Sequence, residues 1–111
     1  MIKIIFITFI SFLLLVNPFY SKEISQETIQ KYVNKVANKF SRTYCNAINF
    51  GISNEGASSF AIGETNKEYK NNRLNNLLDY SLLKKSIISS VGETCQVYDL
   101  DISNLENLKF N

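Results

Sequence analysis

The stretch IQKYVNKVANKFSRTYCNAI, residues 29–48, decides the fold of this chain. Its apolar residues recur every three or four positions, which places them on one face of a helix: Ile29, Val33, Val36, Phe40, Tyr44, Ala47 and Ile48. Ser25 is suited to cap the start of this helix, and Gly51 is suited to end it. We therefore predict an amphipathic helix from Ser25 to Phe50 and expect the rest of the chain to bury its apolar face.

The first 21 residues have the layout of a secretory signal peptide. Lys3 is followed by an apolar run, 4–16, and then by a polar break. We predict a signal peptide at 1–21 and a single small helical domain at 22–111. The alternative is an uncleaved membrane anchor, because a cut after Ser21 would leave Phe19 where a small residue is preferred.

Basic and acidic residues nearly balance once this leader is set aside. Eleven Lys and Arg residues then face ten Asp and Glu residues, so the net charge is +1. A nearly neutral domain gives no reason to expect nucleic acid as a partner. The aromatic residues also do not alternate with cations as they do on surfaces that stack single-stranded bases.

The sequence contains two cysteines, Cys45 and Cys95, and both follow the leader. An even pair in an oxidising compartment predicts a disulfide. The bridge would close a loop of about 50 residues and stabilise the fold by about 4 kcal/mol. Two separate buried thiols are the alternative. A redox-active pair is disfavoured because catalytic dithiols are usually adjacent in a C-x-x-C motif.

Two further helices are predicted downstream. Ser53 or Asn54 caps a short second helix that Gly63 ends, and its apolar residues are Ala57, Phe60, Ala61 and Ile62. Asp79 caps a third helix in which Leu83, Ile87, Val91 and Cys95 repeat every four residues, with Leu82 and Ile88 widening the apolar face.

The segments that flank the third helix are less regular. We interpret 64–76 as a weak helix or an exposed connection, because it is rich in asparagine and has few apolar residues. The run from Val97 to Ile102 is too short and acidic to predict a strand. Ser103 and Glu106 match a capping box, which predicts a short terminal turn with Leu105 and Leu108.

The absence of histidine from the sequence argues against most enzyme classes. It removes the usual general base near neutral pH and the Ser-His-Asp and Cys-His arrangements. With two cysteines and no histidine, the chain also cannot build a usual structural zinc site. We predict no catalytic residues, no metal ligands and no cofactor. Catalysis by carboxylates alone would need a cleft that gathers residues from this set: Glu55, Glu64, Glu93, Asp99, Asp101 and Glu106.

Two segments resemble ligand-binding motifs but depart from them at the residues that matter. The run that starts at Asp99 opens like a calcium loop, yet Asn104 and Phe110 stand where a glycine and a bidentate glutamate are required. Residues 51–58, GISNEGAS, have the glycine spacing of a phosphate-binding loop, yet Ala57 replaces its lysine. We interpret the run from Asp99 as an acidic solvated segment and residues 51–58 as a turn between helices.

A basic stripe is predicted on the first helix, where four cations share one face: Lys31, Lys35, Lys39 and Arg42. Such a stripe can contact an anionic membrane surface or an acidic partner. The alternative is an ordinary solvated face opposite the apolar one.

Three short segments resemble small exported proteins of marine picocyanobacteria: CNAINFGIS (45–53), FAIGETNKEY (60–69) and ETC (93–95). That group supplies no catalytic residues to carry over. The resemblance implies a periplasmic or thylakoid-lumen location.

The sequence thus predicts a small all-α bundle of three to four helices, with a long N-terminal amphipathic helix and a single Cys45–Cys95 disulfide. The function we expect is that of an exported, non-enzymatic interaction or accessory factor, whose protein partner lies at or near a membrane. The alternative is a binder of a small ligand or an anionic membrane surface, using Lys31, Lys35 and Lys39 with the 51–63 turn.

Overall fold

A computed structural model describes residues 24–110 of the chain, so the predicted signal peptide at 1–21 lies outside the described residues. The described residues form three α-helices: α1 is Gln26–Asn49, α2 is Asn54–Tyr69 and α3 is Tyr80–Cys95. Two short 3₁₀ helices, Arg73–Leu77 and Ile102–Leu105, follow α2 and α3. No strand occurs within 24–110. The predicted all-α class is therefore confirmed.

Helix α1 forms as its sequence pattern predicts. The Ser25 hydroxyl accepts a hydrogen bond from the Thr28 amide at 3.2 Å, and Gly51 has the left-handed φ of +87° that ends the helix. The predicted apolar face is the centre of the core. Five of its seven residues are buried and the other two, Ile29 and Ile48, are half-buried.

Contacts between the helices fix their directions. The Cys45–Cys95 disulfide joins the C-terminal turns of α1 and α3, and earlier residues of both helices, Asn34 and Lys85, line the same groove, so these helices run parallel. The ring of Tyr32, near the start of α1, packs edge-on against the ring of Tyr69 at the end of α2, with centroids 5.7 Å apart. Helix α2 therefore runs antiparallel to α1.

The chain after α3, residues 96–110, acts as the fourth member of the bundle. No Cα atoms of α2 and α3 lie within 8 Å of each other, and this tail fills the space between them. It buries four side chains, Leu100, Leu105, Leu108 and Phe110. Within 24–110, all the buried residues lie between Tyr32 and Phe110, so a chain that begins at Lys22 contains all of them.

Asn75 joins the connection between α2 and α3 to three other parts of the fold. Its side-chain amide donates to the carbonyls of Tyr69 and Phe110 at 2.9 and 3.1 Å. Its carbonyl oxygen accepts from the Tyr32 hydroxyl at 2.5 Å. The segment 64–76, which we interpret from its sequence as a weak helix or an exposed connection, is both. It is helical as far as Tyr69, and the connection that follows contains the start of a 3₁₀ helix.

The predicted end of α2 at Gly63 is wrong. The helix continues for six residues because Thr65 and Tyr69 extend the buried face that Ala61 and Ile62 begin. Tertiary burial here outweighs the low helix propensity of one exposed glycine.

Three further predictions about side chains are corrected. Phe60 and Leu82 were expected on apolar faces, but each points to solvent because it lies outside the arc of its helix that meets the core. The predicted capping box at Ser103 and Glu106 is displaced: Asp101 caps the turn, and the Asn104 side chain accepts from the Asp101 amide at 2.8 Å.

Candidate functional site

The predicted disulfide between the two cysteines is confirmed. Cys45 and Cys95 are bonded, with their Cα atoms 5.8 Å apart. Phe50, the residue that caps the end of α1, comes five positions after Cys45. The bridge therefore fixes the end of α1 and the turn that follows it.

The four cations of the predicted basic stripe do lie along the solvent side of α1, but they are not equivalent. The Lys31 ammonium lies 3.4 Å from the Glu27 carboxylate, and the Lys39 ammonium lies 3.5 Å from Glu68 of α2. Lys35 and Arg42 are exposed and have no ion pair within 4.0 Å among the described residues. The stripe is thus a partly neutralised surface rather than four free charges.

The carboxylates of the described residues are not gathered into a cleft that could hold a metal. Within 24–110, no group of three or more Asp, Glu, His or Cys side chains is placed for that role. Asp99 accepts a hydrogen bond from the Asn54 side chain at 2.9 Å, and Asp101 caps the terminal 3₁₀ helix. Both groups therefore have structural partners.

The glycine-rich segment 51–58 is a tight turn between α1 and α2. The Ser53 hydroxyl caps α2 by accepting from the Gly56 amide at 3.1 Å. A Cβ atom at Gly56 would lie 3.0 Å from the Ile52 side chain, so the close approach of that side chain favours glycine. The spacing of glycines that resembles a phosphate-binding loop has this structural origin.

An apolar groove between α1 and α2 is the site that sequence reasoning missed. It encloses about 450 Å³, and three exposed side chains form its apolar wall: Phe50 (87% exposed), Ile52 (45%) and Phe60 (53%). Lys39 and Glu64 also line it. The sequence contains no signal for this groove, because Phe60 lies three positions after Ala57 and only the burial of α2 shows that its side chain is exposed.

A second, polar groove separates α1 from α3. It encloses about 510 Å³ and is lined by amide, hydroxyl and charged groups: Asn34, Asn38, Lys85, Ser86, Ser89, Ser90 and Glu93, with Ala37. These are short or solvated side chains, and the groove contains no apolar anchor. We therefore regard the groove with Phe50, Ile52 and Phe60 as the stronger binding candidate.

Three buried tyrosines have raised pKa values. Burial raises the pKa of Tyr32, and together with the smaller effects of the neighbouring phenols of Tyr69 and Tyr80 it brings that pKa to about 12. Burial also raises the pKa of Tyr69 and of Tyr44, with Asp99 adding to the effect on Tyr44. All three phenols therefore stay protonated at neutral pH.

In the part of the chain that the structure describes, no helix combines the length and the apolar character that a membrane span requires. Comparison with known proteins gave no matching family model, no matching curated protein and no matching solved structure.

Proposed function

We propose that this chain is an exported accessory protein of the periplasm or thylakoid lumen, and that it acts by binding a partner protein. The observation that carries the proposal is the groove whose wall is formed by Phe50, Ile52 and Phe60. Aromatic side chains that are exposed together are typical of binding surfaces, since isolated exposed apolar residues are normal but a contiguous set is not.

The disulfide supports both the location and the site. Disulfides persist in oxidising compartments, which agrees with the signal-peptide layout of the leader. Because Cys45 and Cys95 tie the end of α1 to α3, Phe50 and the turn after it are held in position before any partner binds. A prearranged surface loses less conformational entropy on binding.

The groove also indicates the chemistry of the partner. Its volume accommodates a few apolar side chains, and its lining includes one cation, Lys39, and one carboxylate, Glu64. We expect an apolar or aromatic anchor on the partner, flanked by charges of both signs. Binding would bury the ring of Phe50, which is the most exposed large apolar side chain of the described residues.

Site-specific crosslinking in the exporting host tests this proposal. Phe60 is replaced by a photoreactive phenylalanine analogue, and Tyr98, an exposed aromatic residue outside the groove, is replaced in the matched control. We expect one discrete crosslinked product from position 60 and none from position 98. Phe50→Ser in the same chain should remove the product.

Two outcomes would contradict the proposal. Equal crosslinking from positions 60 and 98, or a product that survives Phe50→Ser, would show that the groove does not select a partner. A product with twice the mass of the chain would identify a second copy in place of a different protein.

A further inference from the structure

We propose that one end of this bundle is a docking surface for an anionic lipid bilayer. This end, here called the basic pole, comprises residues 24–35, 66–85 and 107–110. The inference adds a membrane contact to the proposed periplasmic or lumenal location and rests on the proposed export. It does not depend on the groove.

The fold separates charge along the bundle axis. The basic pole contains eight Lys and Arg residues and three carboxylates, a net charge of +5. The opposite end, residues 46–58 and 92–104, contains four carboxylates and neither Lys nor Arg. A domain with little net charge therefore has two ends of opposite sign, and the field of the basic pole favours an anionic surface.

The helix directions bring these cations together. Lys31 and Lys35 come from the start of α1, whereas Lys70 and Arg73 come from the connection after α2. The Tyr69 hydroxyl donates to the Lys35 carbonyl at 3.5 Å, and Asn66 bonds to the backbone of Asn107 and Lys109, which shows that these segments lie at one level of the bundle. The cations at the basic pole are exposed except for Lys84, which is half-buried.

Exposed aliphatic side chains at the same end point to lipid rather than to a soluble polyanion. Ile24, Leu77 and Leu82 are each between 42% and 50% exposed, and all three belong to the basic pole. Surfaces that bind the membrane interface combine cations with aliphatic groups that enter the acyl boundary, and their affinity grows with both. A polyanion would use the cations alone.

The leader joins the domain at this end. Seven residues separate Val16, the end of the apolar run, from Ile24. A chain of that length spans at most about 28 Å. A leader held in a bilayer would therefore keep the basic pole, and not the acidic end, close to the lipid surface.

Vesicle co-sedimentation tests the proposal with the disulfide-bonded chain that begins at Lys22. The vesicles are phosphatidylcholine with and without about one third phosphatidylglycerol, at about 0.05 M and 0.5 M salt. We expect binding only to the anionic vesicles and only at the lower salt. Lys70→Glu with Arg73→Glu should weaken it by at least about tenfold.

Two matched controls separate the basic pole from general charge and apolarity. Lys39→Glu with Arg42→Glu changes the net charge by the same amount but lies outside the pole, and we expect an effect below about threefold. Leu77→Ser should weaken vesicle binding by about fivefold. Ile102→Ser, at a residue of similar exposure in the tail, should not change it.

Several results would overturn the inference. The first two are no binding at low salt and equal binding to neutral vesicles. The third is an equal loss of binding from the two double charge reversals, which would show that the cations of α1 outside the pole contribute as much as those of the pole. Retention on an anionic polymer that Leu77→Ser leaves unchanged, without vesicle binding, would identify a soluble polyanion. None of these results affects the crosslinking test at Phe60, so the two proposals fail separately.

Discussion

Two buried tyrosines of α1 have opposite hydrogen-bonding states. The Tyr32 hydroxyl donates to Asn75, whereas the Tyr44 hydroxyl is buried and has no protein partner among the described residues. A buried polar group without a partner loses its hydration and gains nothing in return. The same substitution should therefore have opposite effects at the two positions.

We expect Tyr32→Phe to lower the free energy of unfolding by about 1 kcal/mol, because it removes a hydrogen bond and leaves the Asn75 carbonyl oxygen without its donor. Tyr44→Phe should leave the free energy of unfolding unchanged or raise it by up to about 1 kcal/mol. Urea unfolding of both variants measures this. An equal loss of unfolding free energy in the two variants would contradict the different hydrogen-bonding states of Tyr32 and Tyr44.

At the scale of single elements, the centre of α2 contains a glycine, Gly63, for which the packing gives no reason. Gly63 is exposed, and a Cβ atom there would contact nothing within 4 Å. We expect Gly63→Ala to stabilise the protein by about 1 kcal/mol, because glycine in the middle of a helix loses more backbone entropy than alanine. Thermal unfolding should show a Tm about 4–8 °C higher.

Two other glycines are the controls for this prediction. Gly51→Ala should destabilise the protein, since Gly51 has a φ of +87°. Gly92→Ala places a Cβ atom 3.0 Å from the Tyr98 ring, so the ring must move. A gain in Tm for Gly51→Ala would contradict the left-handed conformation at the end of α1.

Periodicity predicts an element well when its apolar face is wide and its ends carry their own signals. Helices α1 and α3 satisfy both conditions, with Ser25 and Asp79 as caps. Helix α2 does not, because the first half of its buried face is made mainly of small residues and its centre is a glycine. The direction of Phe60 could not be read from the sequence, since it depends on which arc of α2 the tail and α1 cover.

At the scale of the whole molecule, one covalent bond holds together two parallel helices that are distant in sequence. We expect reduction of Cys45–Cys95 to lower the free energy of unfolding by about 4 kcal/mol, because the open chain regains the entropy of a loop of about 50 residues. The Tm should fall by about 20 °C. The Cys45→Ala, Cys95→Ala double variant should match the reduced protein without any reductant.

Intact mass of the chain from its exporting host completes that measurement. We expect the mass of a chain whose first residue is near Lys22, and we expect no alkylation of the cysteines until the protein is reduced. A full-length mass would show that the leader is retained as an anchor. Two thiols that react without reduction would show that the bond does not form in the cell, and would remove the support that it gives to export.

The pair of cysteines was predictable from the sequence, but the charge separation was not. Lys31 and Arg73 are distant in sequence, and only the antiparallel packing of α2 on α1 places them at one end of the bundle. The basic stripe on α1 could be predicted because it needs only helical periodicity. Its division into paired and unpaired cations depends on Glu68, which belongs to another helix.

The position of the tail sets an order of events in time. A chain emerges from the ribosome N-terminus first, at about 5–20 residues per second, so Phe110 follows Cys95 after about one to three seconds. Both cysteines of the disulfide thus leave the ribosome before the tail that fills the space between α2 and α3. The bundle is complete only when the tail has packed and the Phe110 carbonyl accepts from the Asn75 side chain.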